Sequence, residues 1–360
     1  MLKKTMSIIL ALILTLSLIL ASCGTRPPAK EPDGTGTGTG EEPLKIALVV
    51  NQKFGDKGPM DDLAKGAEQA AKDFGVIVKK LESESAAKFE EDIRAMSKDC
   101  DLVVTTFPYM SDATKLVAAE YPDVKYAAVF QFINDENTSI PNIWDTEFHG
   151  EQAFYINGYI AGKLTKTNKV GIVIGGEEPT PNAEGNGFMR GVKDANPDAT
   201  VEFAYVGSYE DPAKAKEITI AMIAKGCDVV QTDAGASNAG VIEACKDAGI
   251  LCSGEITDFY DTYDGFFGII GIGFGATVYQ AVEDLVNGNF SGGQHGIRGL
   301  HNGGYFIDWP SYERFADNHP EFGEAMKEII VEAKQIEKDI IDGKIEIPYD
   351  TRVPNWENFK

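Results

Sequence analysis

The residues able to hold or transform a small molecule fall in short polar loops, each just beyond an apolar, β-branched run. Gly55-Asp56-Lys57 follows residues 46–50, Thr105-Thr106-Phe107 with Tyr109 follows CDLVV, Asp233-Ala234-Gly235 follows CDVVQ, and Glu255 follows residues 250–253. A carboxylate above a strand end, as at Asp56, accepts two donors at once and so orients a ligand as well as binding it. Threonine hydroxyls and helix-start amides suit a polar solute group, while Phe107 and Tyr109 serve either as ligand wall or as loop packing. Gly235 permits close backbone approach. This is the chemistry of binding, not turnover. His149, His295, His301 and His319 have no metal-ligand spacing, neither GxSxG nor a Cys–His pairing is visible, and no two acids can be assigned as acid and base. Gly271-Ile272-Gly273-Phe274-Gly275-Ala276 fits GxGxxA but lies late in the chain without an acid about 20 residues on, and so reads as a close-packed helix start. No catalytic residue, metal or cofactor is expected.

The elements that must position these loops alternate. Residues 44–66 run from a strand (46–50) through a polar loop into a helix carrying Leu63, Ala67 and Ala70. A parallel strand feeding a helix is where open α/β sheets bind ligands. Further strands are expected at 76–80, 100–106 and 125–129, with helices at 89–97 and after Ser111. The second half repeats the order, offset by roughly 125 residues: strand 169–176, helix 188–195, strand 201–206, helix 213–224, strand 227–233, helix 240–248 and strand 250–253. The pattern predicts an α/β fold of two lobes, each a parallel sheet flanked by helices, with the ligand cleft between them. Residues 147–165 read as a long helix leading from one lobe to the other. After Gly268 come a helix at 277–287, a strand-rich stretch at 296–309 and a closing helix at 321–341, stopped at Asp342-Gly343.

A length of 360 residues allows two cores, and 43% apolar with 10% aromatic content is ordinary for a globular protein. The formal charge of −23 argues against nucleic acid and against a basic patch for anionic lipid. Residues 1–22 read as a targeting segment, Lys3 and Lys4 followed by an apolar run, and Leu20-Ala21-Ser22-Cys23 looks like the lipobox of bacterial lipoproteins. Cys23 is then the lipidated N-terminus; an ordinary signal peptide ending at Ala21-Ser22 or a short membrane helix are the alternatives. Residues 23–43, with their Gly-Thr repeat, form a tether that spans roughly 20–25 Å. Of the other four cysteines, Cys100 and Cys227 read as small buried hydrophobes, and Cys245 with Cys252 are either bridged or free.

KIALVV with GDK, then YPDVKYA, GYIAGKLTKTNKVGIVIGG, GSYEDPAKAKEIT and IIDGKIEIP together resemble the basic membrane protein family, over nearly all of residues 44–348. These are lipid-anchored substrate-binding proteins of ABC importers, the purine nucleoside receptors among them. The resemblance implies a two-lobed, type I periplasmic-binding-protein fold: lobe 1 at 44–148 with parts of 275–360 crossing back, lobe 2 at 149–274. It implies a monomer on the outer face of the cell membrane, serving a nucleoside-like or other aromatic heterocyclic ligand and an ABC permease. Asp56 matches the family's ligand carboxylate, Tyr209 a phenylalanine that sandwiches the base, and Glu255 an aspartate that grips ribose. Gly58-Pro59-Met60-Asp61 is one residue longer than usual, with Met60 where an aromatic normally stacks. Phe130 stands where the family often has Asp, and Ile272 where it has Lys, so a flatter or less polar ligand is expected. A lipid-anchored sensor signalling to a membrane partner is the alternative, since closure is a population shift whichever partner reads it.

Overall fold

A computed structural model of the protein describes residues 42–55 and 58–359; Cys23 and Asp56 lie outside the described residues. Residues from Pro43 onward form one compact unit. Within it the expected alternation builds two sheets. The first contains β1 (Lys45–Val50), β2 (Ile77–Glu82), β3 (Leu102–Thr106), β4 (Lys125–Val129), β5 (Ile143–Phe148) and β11 (Gln294–Arg298), in the order β11-β5-β4-β3-β1-β2 and parallel throughout. The second contains β6 (Lys169–Ile174), β7 (Thr200–Tyr205), β8 (Val229–Asp233), β9 (Leu251–Glu255), β10 (Phe266–Ile272) and β12 (Tyr305–Ile307), in the order β12-β10-β9-β8-β6-β7, with only β12 antiparallel.

Register decides where the loops emerge. Thr105 lies opposite Val49 and Thr106 opposite Val129, so the loops after β1, β3 and β4 open on one edge of the first sheet. Asp233 lies opposite Ile174 and Glu255 opposite Ile270, which does the same for the second.

The helices in chain order are α1 (Pro59–Phe74), α2 (Phe89–Ser97), α3 (Ser111–Glu120), α4 (Glu151–Leu164), α5 (Pro179–Ala195), α6 (Pro212–Ala224), α7 (Asn238–Ala248), α8 (Phe274–Val286), α9 (Trp309–Asn318) and α10 (Gly323–Ile341). One apolar core runs through both lobes, from Ile46, Leu63 and Phe148 to Ile172, Phe188 and Phe267; two smaller ones fill the outer faces, around Val103 and Ile93 and around Val230 and Ile242. Among the described residues no helix is long and apolar enough to cross a membrane.

Two expectations need correction. The stretch 147–165 is not helical throughout, since β5 runs to Phe148 and α4 begins only at Glu151. The helix expected at 188–195 starts at Pro179. Its Pro-Thr-Pro-Asn opening looks like loop, yet proline is well suited to a first helical turn, where its missing N–H is not needed. The glycines that follow serve packing: a Cβ on Gly187 would lie 2.2 Å from the Glu151 carbonyl oxygen, and one on Gly191 2.0 Å from that of Tyr155. α4 and α5 therefore touch backbone to backbone. The stretch 296–309 is strand-rich as expected, β11 joining the first sheet and β12 the second.

The chain passes between the lobes three times, at 149–150, at Gly273 and at 299–304. The crossings lie side by side: the His149 amide donates to the Arg298 carbonyl at 2.8 Å, and the Gly273 amide to that of Gly304 at 2.9 Å. A Cβ on Gly273 would stand 2.2 Å from the Gly303 oxygen. Cys100, Cys227, Cys245 and Cys252 are buried, free thiols.

Candidate functional site

Lobe 1 contributes an aromatic wall. β3 ends into Phe107 at φ 63, ψ 156, a region that only glycine enters freely, and β4 ends into Phe130 at φ 57. Ile256, after β9, is likewise left-handed at φ 55. Bulky residues held this way cost about 1–3 kcal/mol each, and such strain collects at functional sites. Here it turns the chain sharply at the strand ends. The Phe107 ring stands 5.6 Å from Phe130 and 5.5 Å from Phe274, and Phe148 lies 5.6 Å from Phe130 and 4.7 Å from Phe274. Phe274 occupies this wall because α8 starts directly at the second crossing.

The remaining lobe 1 candidates fall elsewhere. Thr105 and Thr106 are fully buried: Thr105 Oγ1 accepts from Thr114 at 2.9 Å and from Gln131 Nε2 at 2.8 Å, and Thr106 turns its hydroxyl to the Met110 sulfur. Met60, 1% exposed, packs in the core under α1 rather than beside the wall. Asp61 Oδ1 accepts the Gly55 amide at 2.6 Å and so closes the loop that carries Asp56. Tyr109 is 67% exposed; burial of part of its ring and then the Glu178 carboxylate of lobe 2 push its hydroxyl up, which marks the two lobes as near neighbours here. In lobe 2, Ile272 at the end of β10 is core, 8% exposed.

Lobe 2 contributes a floor of buried acids. Tyr209 lies flat over Gly175, where a Cβ would come within 2.3 Å of its ring, and its hydroxyl donates to Glu178 at 3.1 Å. Gly235, at φ +56, keeps the loop after β8 against the Tyr209 carbonyl. Asp233 and Glu255, 5% and 8% exposed, close on Glu184 of α5, 3% exposed. The Tyr305 hydroxyl donates to Glu184 Oε1 at 2.5 Å. Asn238 spends its oxygen on Thr232 (2.6 Å) and the Ala234 amide (2.8 Å), which leaves its nitrogen for Glu255. Burial raises all three carboxyls, and the negative charge of Asp233 adds to the rise at Glu184 and Glu255. Hydrogen bonds from those two offset part of the rise at Asp233, so the three carboxyls titrate as one coupled set. Burial, then Asp233 and Glu178, also push the Tyr209 hydroxyl up.

The structure thus brings together Phe107 and Phe130 on one side and Tyr209, Asp233, Gly235 and Glu255 on the other. The wall reaches the floor through Phe148, whose ring is 6.3 Å from that of Tyr305. Glu184, Tyr305, Phe148 and the site role of Phe274 escaped sequence reasoning. A lone acid among small residues, in TPNAEGNG, was the available signal for Glu184.

A second polar chain lines the crossings. His295 Nδ1 meets Asp145 Oδ2 at 2.6 Å, and His149 Nε2 meets Glu147 Oε1 at 2.6 Å. His149 stacks on Tyr349 at 3.7 Å, and Tyr349 shares a 3.0 Å hydrogen bond with Thr180 of α5. Asp145 and then Glu147 raise His295 to about 9, while hydrogen bonds with His149 and His295 lower Glu147 to about 2. Among the described residues no group of three or more histidines, cysteines or acids is placed to hold a metal ion. A surface hollow lined by Leu164, Asp228, Leu251 and His319 sits at the opposite, strand-start edge of the second sheet, away from these groups.

Two parallel-sheet lobes joined by three crossings, with polar and aromatic groups gathered at the strand ends between them, define a type I solute-binding protein. A solute-binding protein of Aeropyrum pernix K1 shares the fold at a TM-score of 0.70 and 24% identity, covering 86% of this chain and 94% of that one. One of Conexibacter woesei does so at 0.68 and 21%, covering 85% and 99%. The chain belongs to the Bmp family, described as ABC transporter substrate-binding protein PnrA-like, whose pattern matches residues 44–351. The ABC transporter nucleoside-binding protein BmpA of Lactococcus lactis subsp. cremoris is 26% identical over 371 residues, 96% of this chain and 99% of that protein. Basic membrane protein A of Borreliella burgdorferi is 29% identical over 245 residues, 68% of this chain and 69% of that protein. The protein is therefore an extracytoplasmic substrate-binding component of an ABC transporter and not an enzyme.

Proposed function

We propose that the protein, anchored through a lipid on Cys23 and acting as a monomer, captures a nucleoside or related aromatic heterocycle between its lobes and hands it to its permease. The observation that carries this is the pairing of an aromatic wall with a buried polar floor at the strand ends of facing sheets. A flat ring stacks on Phe107, Phe130 and Tyr209, and its polar substituents meet Asp233, Glu255 and, from the loop that Asp61 closes, Asp56. Tyr109, near Glu178 of lobe 2, acts at the edge of this set, while Met60 and Thr106 are core residues that take no direct part. Binding involves no bond making: the lobes close, dock and release. The lactococcal relative's printed role as a nucleoside-binding protein supports the ligand class.

The test is a thermal-shift screen of the full chain in detergent against nucleosides, nucleobases, flavins and sugars. A ligand at 100 times its Kd stabilises by about 2.7 kcal/mol, an upward shift of several degrees. A hit confined to sugars would refute the aromatic-ligand reading.

A further inference from the structure

We propose that the solute is a cation: an aromatic heterocycle whose polar end is an ammonium or amidinium seated on Glu184, Asp233 and Glu255. The proposal rests on the reading of this cleft as the solute site and names the chemistry that site prefers.

The first observation is a surplus of acceptors. Three carboxyls from α5, β8 and β9 converge, and the donors that face them are the Tyr305 hydroxyl, the Asn238 amide nitrogen and the Gly235 amide. Asp233 Oδ2 is buried and meets no donor among ordinary hydrogen-bonding groups. Without ligand the set stays together only by sharing protons, because carboxylates this close cannot all ionise in a site shut off from water. The neighbouring elements do not supply the missing charge. Glu178 stands just before α5; the loop before α6 brings Tyr209; β12 brings Tyr305. The first crossing brings Gly150, where a Cβ would stand 2.3 Å from Glu184 Oε1, flanked by His149 and Glu151. His149 is already engaged by Glu147 at 2.6 Å, and Glu151 is another acid, with an unpartnered Oε2.

The second observation is independent of the acids. The groups gathered with them are aromatic, Phe107, Phe130 and Phe274 clustered in lobe 1 and Tyr209 in lobe 2, and aromatic rings attract cations. A hydroxylated neutral solute needs one or two carboxylate acceptors; it has no use for three acids beside an aromatic wall. A cation replaces the shared protons. The formal charge of −23 draws such a solute toward the protein as well.

The experiment is titration calorimetry on the full chain in detergent, with matched pairs that differ in charge: 5′-amino-5′-deoxyadenosine against adenosine, tryptamine against tryptophol, and pyridoxamine against pyridoxine. Each is measured in two buffers of different ionisation enthalpy. The expected result is preference for the amine of at least one pair by tenfold or more, with about one proton released per solute bound. Because the carboxyls hold protons that the cation must displace, affinity should rise with pH by up to about tenfold per unit while the amine stays charged. Glu255→Gln, and separately Glu184→Gln, should reduce proton release and weaken the amine more than its neutral partner, so that the preference for the amine shrinks. Two variants are used so that loss of folding in one, read from its melting curve, leaves the other informative. Neutral members binding equally or better, without proton release, would overturn the cation while leaving the aromatic-solute reading intact. Silence across all pairs and across the screen above would overturn that reading and the proposal with it.

Discussion

Replacing Phe107 tests whether the backbone at the head of the aromatic wall is strained. At an ordinary exposed or loop position alanine is more stabilising than glycine, because glycine loses more freedom on folding, by about 0.5–1 kcal/mol. At φ 63 and ψ 156 the order should invert. Any residue with a Cβ bears a cost of about 1–3 kcal/mol there, and glycine does not. Both Phe107→Ala and Phe107→Gly lose the same ring contacts with Phe130 and Phe274, each about 0.5–1.5 kcal/mol beyond area burial, so that loss cancels between them. What remains is strain relief less the entropy term, which leaves glycine ahead by up to roughly 2.5 kcal/mol. Urea unfolding followed by far-UV circular dichroism reads this as a higher midpoint for the glycine variant at an unchanged slope. Both variants should lose affinity for the solute alike, since both lose the ring. If the alanine protein is the more stable, Phe107 is relaxed and the case for strain at this strand end fails.

Two further outcomes follow from packing and charge. Gly191→Ala should destabilise by about 1–3 kcal/mol or more, because its Cβ would stand 2.0 Å from the Tyr155 oxygen and 2.7 Å from the Tyr159 nitrogen. Gly323→Ala, with its nearest neighbour at 3.8 Å, should be neutral in the same urea titration. His295 is raised from 6.5 to about 9, so the stability it contributes is complete below about 6.5 and is lost as pH rises through about 9. Glu147 is lowered from 4.5 to about 2, so its contribution is complete above about 4.5 and is lost as pH falls through about 2. The contribution of this pair to stability, followed by melting temperature, should therefore be greatest between about 4.5 and 6.5 and decline toward pH 9, by at most about 3 kcal/mol for an interaction the pair shares. His295→Gln should flatten the alkaline decline; an unchanged slope would show that the ion pair is not its cause.

What could be read from the sequence was whatever depends on local periodicity. β1 and β6 are near-continuous apolar runs, and β3 and β8 open on apolar residues, because both faces of each sheet are covered, and their repeat across the halves exposes the two lobes. Asp233 and Glu255 were found because strand-end position makes a residue a candidate, and Tyr209 through the family resemblance of GSYEDPAK. Glu184 was hidden because Pro, Asn and Gly around it argue for loop, and only the backbone contact of α4 with α5 makes that composition helical. The left-handed turns at Phe107 and Phe130 leave no mark in residue type, since any bulky residue is a poor choice there. Nor does periodicity say which lobe β11 or β12 joins; that follows from crossings fixed by distant contacts such as Gly273 against Gly303.

The three crossings have a consequence for how the chain responds to cutting. Each lobe is assembled from pieces far apart in sequence, and neither terminus alone holds a lobe together. A protease that severed one crossing would leave the two sheets joined by the other two and by the hydrogen bonds between them. Such a nicked protein would run as two fragments on a denaturing gel and as one body on a native one. A library of split sites would find its tolerated breaks at these crossings or in outer loops, and a half expressed alone would present an open sheet edge to its surroundings.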